Sequence, residues 1–332
     1  MTTAHTSPSP PLLLADIGAT NARFTLTGDG CPDRTLVLPS AGFGSLEAAV
    51  QGFLDAIRPG IAPTRAAFAV AGPVTGDEVT LTNLSWHFSI RALRAALGLT
   101  RLEVVNDFTA VALAVPHLGP GDSRPIGGPG RHAVAGAPIA VLGPGSGLGV
   151  SGLIATPDGG WTALSGEGGH VTLAPADDRE SEVLARLRQR FGAVSAERAL
   201  SGPGLVNLYR ALSELGGQAP EALSPAEITT AALAGTCPRC REALELFAAF
   251  LGTVAGDLAL TLGARGGAYV SGGIAPRLAD FLDRSAFRRR FEEKGPQRGY
   301  LASIPCHLVT HPLPAFLGLA ALIQAESQSH PA

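Results

Sequence analysis

Cysteine is scarce: Cys31, Cys237, Cys240 and Cys306 are the only four in 332 residues. That is too few to staple a chain of this size, and free thiols fit a reducing cytoplasm. Cys237 and Cys240 form a lone C-x-x-C with no second pair nearby, whereas a structural zinc takes four ligands. Aromatic residues make up only 5% of the chain, so its core must be built from Ala, Val, Leu and Ile. Net charge is only −3, and the basic residues are scattered. The densest run, Arg288-Arg289-Arg290, is followed by Glu292 and Glu293 and reads as a solvated helix face, not as a nucleic-acid contact. Residues 1–11 lack the basic and apolar regions of a signal peptide and read as a loose, Pro-rich tail. The longest apolar helical stretch, Ala243 to Leu262, carries Glu245 and Asp257; unpaired carboxylates are costly in lipid, so it reads as a core helix and no membrane partner is expected.

What the chain has in quantity is small and apolar residues: hydrophobic side chains reach 45%, with 42 Gly and 26 Pro. A length of 332 residues suits two lobes better than one core. Leu12 to Ala15 reads as a buried strand, and Ala22, Phe24 and Leu26 alternate with polar residues as a half-buried one, so together they predict a hairpin. Thr35 to Leu38 predicts a third strand. Ser45 caps a helix carrying Leu46, Ala49, Val50, Phe53, Leu54 and Ile57 on one face. Further strands are expected at 66–71, 79–82 and 102–105, with a helix from Ser89 to Gly98 and a short apolar helix at about 109–115. The segment 119–138 is rich in Gly and Pro, and a lobe boundary is placed near Pro116. Strands at 139–142 and 150–154 flank a Gly-rich loop and repeat the opening hairpin, which suggests an internally duplicated α/β fold. The remainder reads as mostly helical, with strands near 268–270 and 304–309 and a last helix at 316–324. The lobes are then 12–116, with a helix within 312–326 returning to it, and 117–311.

Five constellations carry chemistry. In Asp16-Ile17-Gly18-Ala19-Thr20-Asn21, small residues let backbone N–H groups approach an anion, and Asp16 can hold a hydrated Mg²⁺; an ordinary hairpin turn has the same composition. The loop Gly143 to Gly149 exposes N–H groups without side chains in the way. It lacks the Gly-Lys-Ser/Thr of a Walker loop and is followed by a strand, unlike a dinucleotide fingerprint; a flexible surface loop is the alternative. Ser271-Gly272-Gly273 after a strand lets a purine lie against backbone, or simply makes a tight connection. Asn106-Asp107 ends a strand where α/β sheets open their crevice, so Asp107 could take a proton from a hydroxyl, or cap a helix. Glu167-Gly168-Gly169-His170 can grip neighbouring hydroxyls from a Gly-hinged loop, and Glu197 is either another acceptor or a first-turn helix acid.

Seven stretches in order, ADIGATNARF, AGPVTGDEVTLTNLSW, VVNDFTA, VLGPGSGLGV, SGEGGHVTLAP, SAERALSGPGLVNLYRAL and VSGGIAPR, resemble the bacterial glucokinase family of the sugar kinase, actin and heat-shock chaperone superfamily. The resemblance implies a two-lobed actin-like (ribonuclease H-like) hexokinase fold with a ligand cleft between lobes, and a homodimer. It implies phosphorylation of glucose by ATP with Mg²⁺, Asp107 being the base for the 6-hydroxyl. Asn106, Glu167, His170 and Glu197, with Asn83 near by, would hold the sugar. Ala15 to Asn21, Gly145, Ser146, Gly147, Gly149, Gly272 and Gly273 would hold the nucleotide, with Asp16 reaching the metal through water. A kinase for fructose, mannose or an amino sugar, a non-catalytic sugar sensor and a filament-forming ATPase are the rival readings. The family pattern has Gly where this chain has Ala19; a positive φ there would cost about 1–2 kcal/mol, so a negative φ is expected.

Overall fold

The computed structural model describes residues 11–28, 35–57, 62–81, 84–128 and 130–325. Two compact units emerge, one from residues up to His117 together with those from Leu313 onward, the other from Leu118 to Pro312.

In the first unit the chain runs β1 (Leu12–Ile17), β2 (Asn21–Thr27), β3 (Leu36–Pro39), α1 (Leu46–Ile57), β4 (Arg65–Val70), β5 (Glu78–Thr80), β6 (His87–Ser89), α2 (Ile90–Ala96), β7 (Arg101–Asn106) and α3 (Asp107–Ala114). The sheet order is β3-β2-β1-β4-β7. β1, β2 and β3 form an antiparallel meander, and β4 and β7 continue it in parallel with β1. Leu12 to Ala15 are all buried without alternation, as a central strand covered on both faces requires. Phe24 and Phe53 stack with ring centres 5.3 Å apart and anchor α1 on the sheet. Both expected caps form: Ser45 Oγ accepts from the Ala48 N–H and Ser89 Oγ from the Ala92 N–H. The chain's last helix, Pro314–Ala325, packs on α3, β4 and β1, and Gly318 lies so close to the Ala110 carbonyl that a Cβ would not fit.

The second unit contains β8 (Ser123–Pro125), β9 (Ile139–Pro144), β10 (Leu148–Ala155), β11 (Trp161–Gly166), α4 (Asp178–Phe191), α5 (Gly202–Leu215), α6 (Pro225–Ala234), α7 (Pro238–Leu262), β12 (Ala268–Val270), α8 (Ala279–Arg284), α9 (Phe287–Glu292), α10 (Arg298–Ala302) and β13 (Cys306–Val309). Its sheet order is β11-β10-β9-β12-β13-β8. Again a three-strand antiparallel meander is extended by two parallel strands, here β12 and β13, with β8 antiparallel at the edge. The duplication suggested by the two hairpins is therefore a duplication of whole sheets. β8 and β11 were not expected from the sequence. β11 is largely exposed, so it carries no apolar alternation, and β8 is a three-residue edge strand that tolerates Pro125.

α7 is long and apolar enough to cross a membrane by length and composition, yet it packs on α5, α6, α9 and β9 with most of its length buried. Pro238 opens it and Gly263, at φ 63°, ends it. The Arg288 to Arg290 run requires a correction. Only Arg289 faces solvent; Arg288 and Arg290 are 9% and 5% exposed. Arg288 donates to the carbonyls of Leu301, Ala302 and Ile304 and pairs with Glu292, while Arg290 forms a two-pronged pair with Glu180 and donates to Thr253 Oγ1. A charge run shows a helix, but not which of its faces meets buried acceptors.

Candidate functional site

In the first unit, functional groups gather at the carboxyl edge of β1, β4 and β7. The hairpin register pairs Ile17 with Ala22, leaving Gly18 to Asn21 as a turn closed by the Gly18 N–H to the Asn21 carbonyl at 3.0 Å. The buried Ser40 pins this turn, its hydroxyl donating to the Gly18 carbonyl at 2.9 Å and its N–H to the Thr20 carbonyl at 3.0 Å. Ala19 does not take a positive φ, as expected, so the turn accepts it without strain. Thr20 is exposed, whereas Ala15 and Ile17 are buried strand residues whose side chains face the core.

Asp16 is paired across the hairpin with Arg23, whose guanidinium donates to its carboxylate at 3.0 Å. Burial still raises the Asp16 pKa above the ordinary carboxylate value, against the pull of Arg23. Two strands away, Asn106 and Asp107 leave β7. Asn106 serves as the helix cap: its Oδ1 accepts from the N–H groups of Phe108 and Thr109, and its Nδ2 donates to the Gly72 carbonyl at 3.2 Å. Capping by Asn106 leaves Asp107 at the first helical position, where one carboxylate oxygen accepts the Phe108 N–H at 2.9 Å. Burial and then the neighbouring Asp16 charge push the Asp107 carboxyl up to about 6. A carboxylate so poised accepts a proton near neutral pH, the property a general base needs.

In the second unit, β9 and β10 meet in a tight hairpin whose tip is Gly145 to Gly147, with Ser146 exposed and Gly149 half-buried in β10. The Gly145 N–H donates to the Gly147 carbonyl at 2.8 Å. This turn is strapped rather than loose. The Gly202 N–H donates to the Gly145 carbonyl at 2.9 Å, and Glu197 Oε2 accepts the Leu148 N–H at 3.0 Å. A Cβ on Gly147 would lie 2.5 Å from that carboxylate oxygen. Alongside runs Ser271 to Ile274, where Gly272 has φ 92° and sits against the Pro144 carbonyl, so only glycine fits; Gly273 is exposed.

Glu167 and His170 stand at one exposed 3₁₀ turn, Gly168–His170, with His170 Nε2 4.0 Å from Glu167 Oε2. The segment that follows pairs with the one leading to Glu197, through the Ala196 N–H to the Val171 carbonyl at 2.9 Å and a Thr172–Ser195 bridge. Glu167, His170, Glu197 and the Gly145 to Gly147 tip are thus tied through adjacent backbone. Asn83 lies outside the described residues. Sequence reasoning missed Arg23 and Ser40. Arg23 was open to discovery, because the hairpin register sets it opposite Asp16; Ser40 directly follows β3 and gave no local signal.

Glu197→Ala should release the Leu148 N–H. A lost hydrogen bond to a charged acceptor of about 1.5–3 kcal/mol corresponds to roughly 10- to 100-fold faster amide exchange at Leu148, with most protection kept in Glu197→Gln. Unchanged exchange in the alanine variant would show that the strap bears no load.

A family model described as Glucokinase matches residues 13–326. A glucokinase from Paramagnetospirillum magneticum is 54% identical over 95% of this chain and 98% of its own length. Among solved structures, a glucokinase from an Antarctic psychrotroph is 40% identical with a TM-score of 0.84, over 96% of this chain and 99% of its own. A glucokinase from Balamuthia mandrillaris, solved with glucose, shares the fold at a TM-score of 0.80 and 22% identity, over 97% and 95% of the two chains.

Proposed function

Because the chain belongs to the glucokinase family, with its two-lobed hexokinase-like fold and its transfer of a phosphoryl group to glucose, we propose that Asp107 is the base of that reaction and that ATP, with Mg²⁺, is the donor. The observation that carries this reading is the Asp107 carboxyl, pushed up to about 6 at the carboxyl edge of β7. Asp107 takes the proton from the sugar's 6-hydroxyl as that oxygen bonds to the terminal phosphorus; the bond from phosphorus to the bridging oxygen breaks, and ADP leaves. Transfer of this kind has a loose transition state, so positioning and charge neutralisation supply most of the rate.

Backbone little covered by side chains at Gly145 to Gly147, Gly272 and Gly273, and in the Gly18 to Asn21 turn, suits polyphosphate and adenosine. Asp16 fits a hydrated Mg²⁺: it is a hard oxygen donor, half-buried, with Arg23 on one oxygen. When bound, the ion would screen charge on the transferred phosphoryl group. Glu167, His170 and Glu197 offer acceptors to the other hydroxyls, and we include Asn83 among the sugar contacts. Asn106 has one amide N–H beyond its bond to Gly72 and acts mainly by aiming Asp107. The same reading makes the enzyme a homodimer of cytoplasmic glycolysis.

A coupled assay over a hexose panel with ATP tests this. Glucose should exceed fructose, mannose and amino sugars by about 10²-fold or more in kcat/KM, since each misplaced hydroxyl leaves a polar partner unpaired. Equal rates with another hexose, or turnover with ADP or polyphosphate in place of ATP, would replace the substrate or donor assignment.

A further inference from the structure

Cys237-Pro238-Arg239-Cys240 is the sequence motif that sugar phosphorylation leaves unused. Cys237 is the cap of α7 and Pro238 its first residue, so the two cysteines lie one turn apart on the same face. The Cys240 N–H donates to Cys237 Sγ at 3.2 Å. Cys237 is half-buried at the corner between α6 and α7, whereas Cys240 is enclosed. Arg239, between them, ties the corner to α5 by donating to the Leu212 carbonyl. Metal binding is disfavoured, since among the described residues no group of three or more His, Cys, Asp or Glu side chains is placed to hold an ion.

We propose that Cys237 and Cys240 form a thiol–disulfide exchange site, oxidised to an intramolecular disulfide by small disulfides of the glutathione class and reduced again by small thiols. Cys237 is the attacking sulfur, being the accessible one of the pair. It bonds to one sulfur of the small disulfide and expels a thiolate, leaving a mixed disulfide. Cys240 then loses its proton and bonds to Cys237 Sγ, expelling the second small thiolate. Two protein thiols give up two electrons and two protons in all, and one small disulfide becomes two small thiols. Burial and the adjacent sulfur push the Cys240 thiol up to about 12, so it resolves the mixed disulfide and does not start the exchange. Cys306 provides an internal contrast: it is also buried, its thiol is pushed up to about 11, and its sulfur meets the Arg288 guanidinium rather than a second thiol.

The test uses the full chain, equilibrated with increasing ratios of glutathione disulfide to glutathione, acid-quenched, alkylated and read by intact mass and peptide mapping. The expected product has lost two hydrogens, links the Cys237 and Cys240 peptides, and returns to the dithiol with dithiothreitol, while Cys306 stays alkylatable. Cys240→Ser should accumulate a stable mixed disulfide with one glutathione on Cys237. A native chain that keeps both thiols free across the series, or that retains glutathione on Cys237, overturns the proposal. Sugar phosphorylation is not the readout, so the outcome is independent of the site assignment above.

Discussion

Asp107→Asn is expected to lower kcat by at least about 10²-fold, the smaller end of what a positioned base contributes, while glucose still binds. The amide oxygen can keep the Phe108 N–H bond that Asp107 makes at 2.9 Å, so the start of α3 should be preserved and only the proton acceptor lost. The native enzyme should lose kcat/KM below about pH 6, tenfold per pH unit, because the free-enzyme profile reports the carboxyl that is pushed up to about 6. Turnover within about tenfold of native, or a profile flat down to about pH 5, would remove Asp107 from the chemistry.

The same substitution should raise stability near neutral pH. An ordinary Asp titrates at 3.8, and burial next to Asp16 raises Asp107 to about 6. Between those values the folded chain binds more protons than the unfolded one, so stability falls as pH rises through the window, and the full penalty applies above it. A shift of that size corresponds to about 3 kcal/mol as an upper bound, which partial exposure reduces. Losing a negative charge from the first turn of a helix offsets up to about 1 kcal/mol. The net gain of about 1 kcal/mol is a few degrees in melting temperature at about pH 8, vanishing towards about pH 4. A variant that melts below the native chain at about pH 8 would show that the buried carboxylate is not a strained group.

Much of this was legible in the residues. The hairpins at Leu12–Thr27 and Ile139–Ala155 show in their apolar runs and small-residue turns, and Asn106-Asp107 announces itself by ending a strand. What the sequence could not convey was how each polar group is spent. Asn106 and Asp107 are both plausible caps, and only the backbone decides that Asn106 takes the role and leaves Asp107 free to titrate. Glu197 reads as a first-turn acid because its partner, the Leu148 N–H, is 49 residues away. The Gly145 to Gly147 tip looks flexible by composition yet is held from two sides, by bonds that no local pattern predicts.

The largest stability effect is expected where the arginine run was misread. Glu180 is 1% exposed, and its carboxylate takes the Ala176 N–H at 2.7 Å and both arms of Arg290, which also donates to Thr253 on α7 at 2.8 Å. One charge pair therefore joins α4, α7 and α9. Glu180→Ala leaves the guanidinium buried without its counter-charge, at a cost of about 3–5 kcal/mol. That corresponds to a fall of roughly 6–20 °C in melting temperature for a domain of this size. Arg290→Met in the same chain removes the stranded charge, so the double variant should melt above the Glu180→Ala single, although it lacks more native bonds. Additive losses, with the double variant melting lowest, would mean that Arg290 contributes through its packed stem and its Thr253 bond and not through the pair.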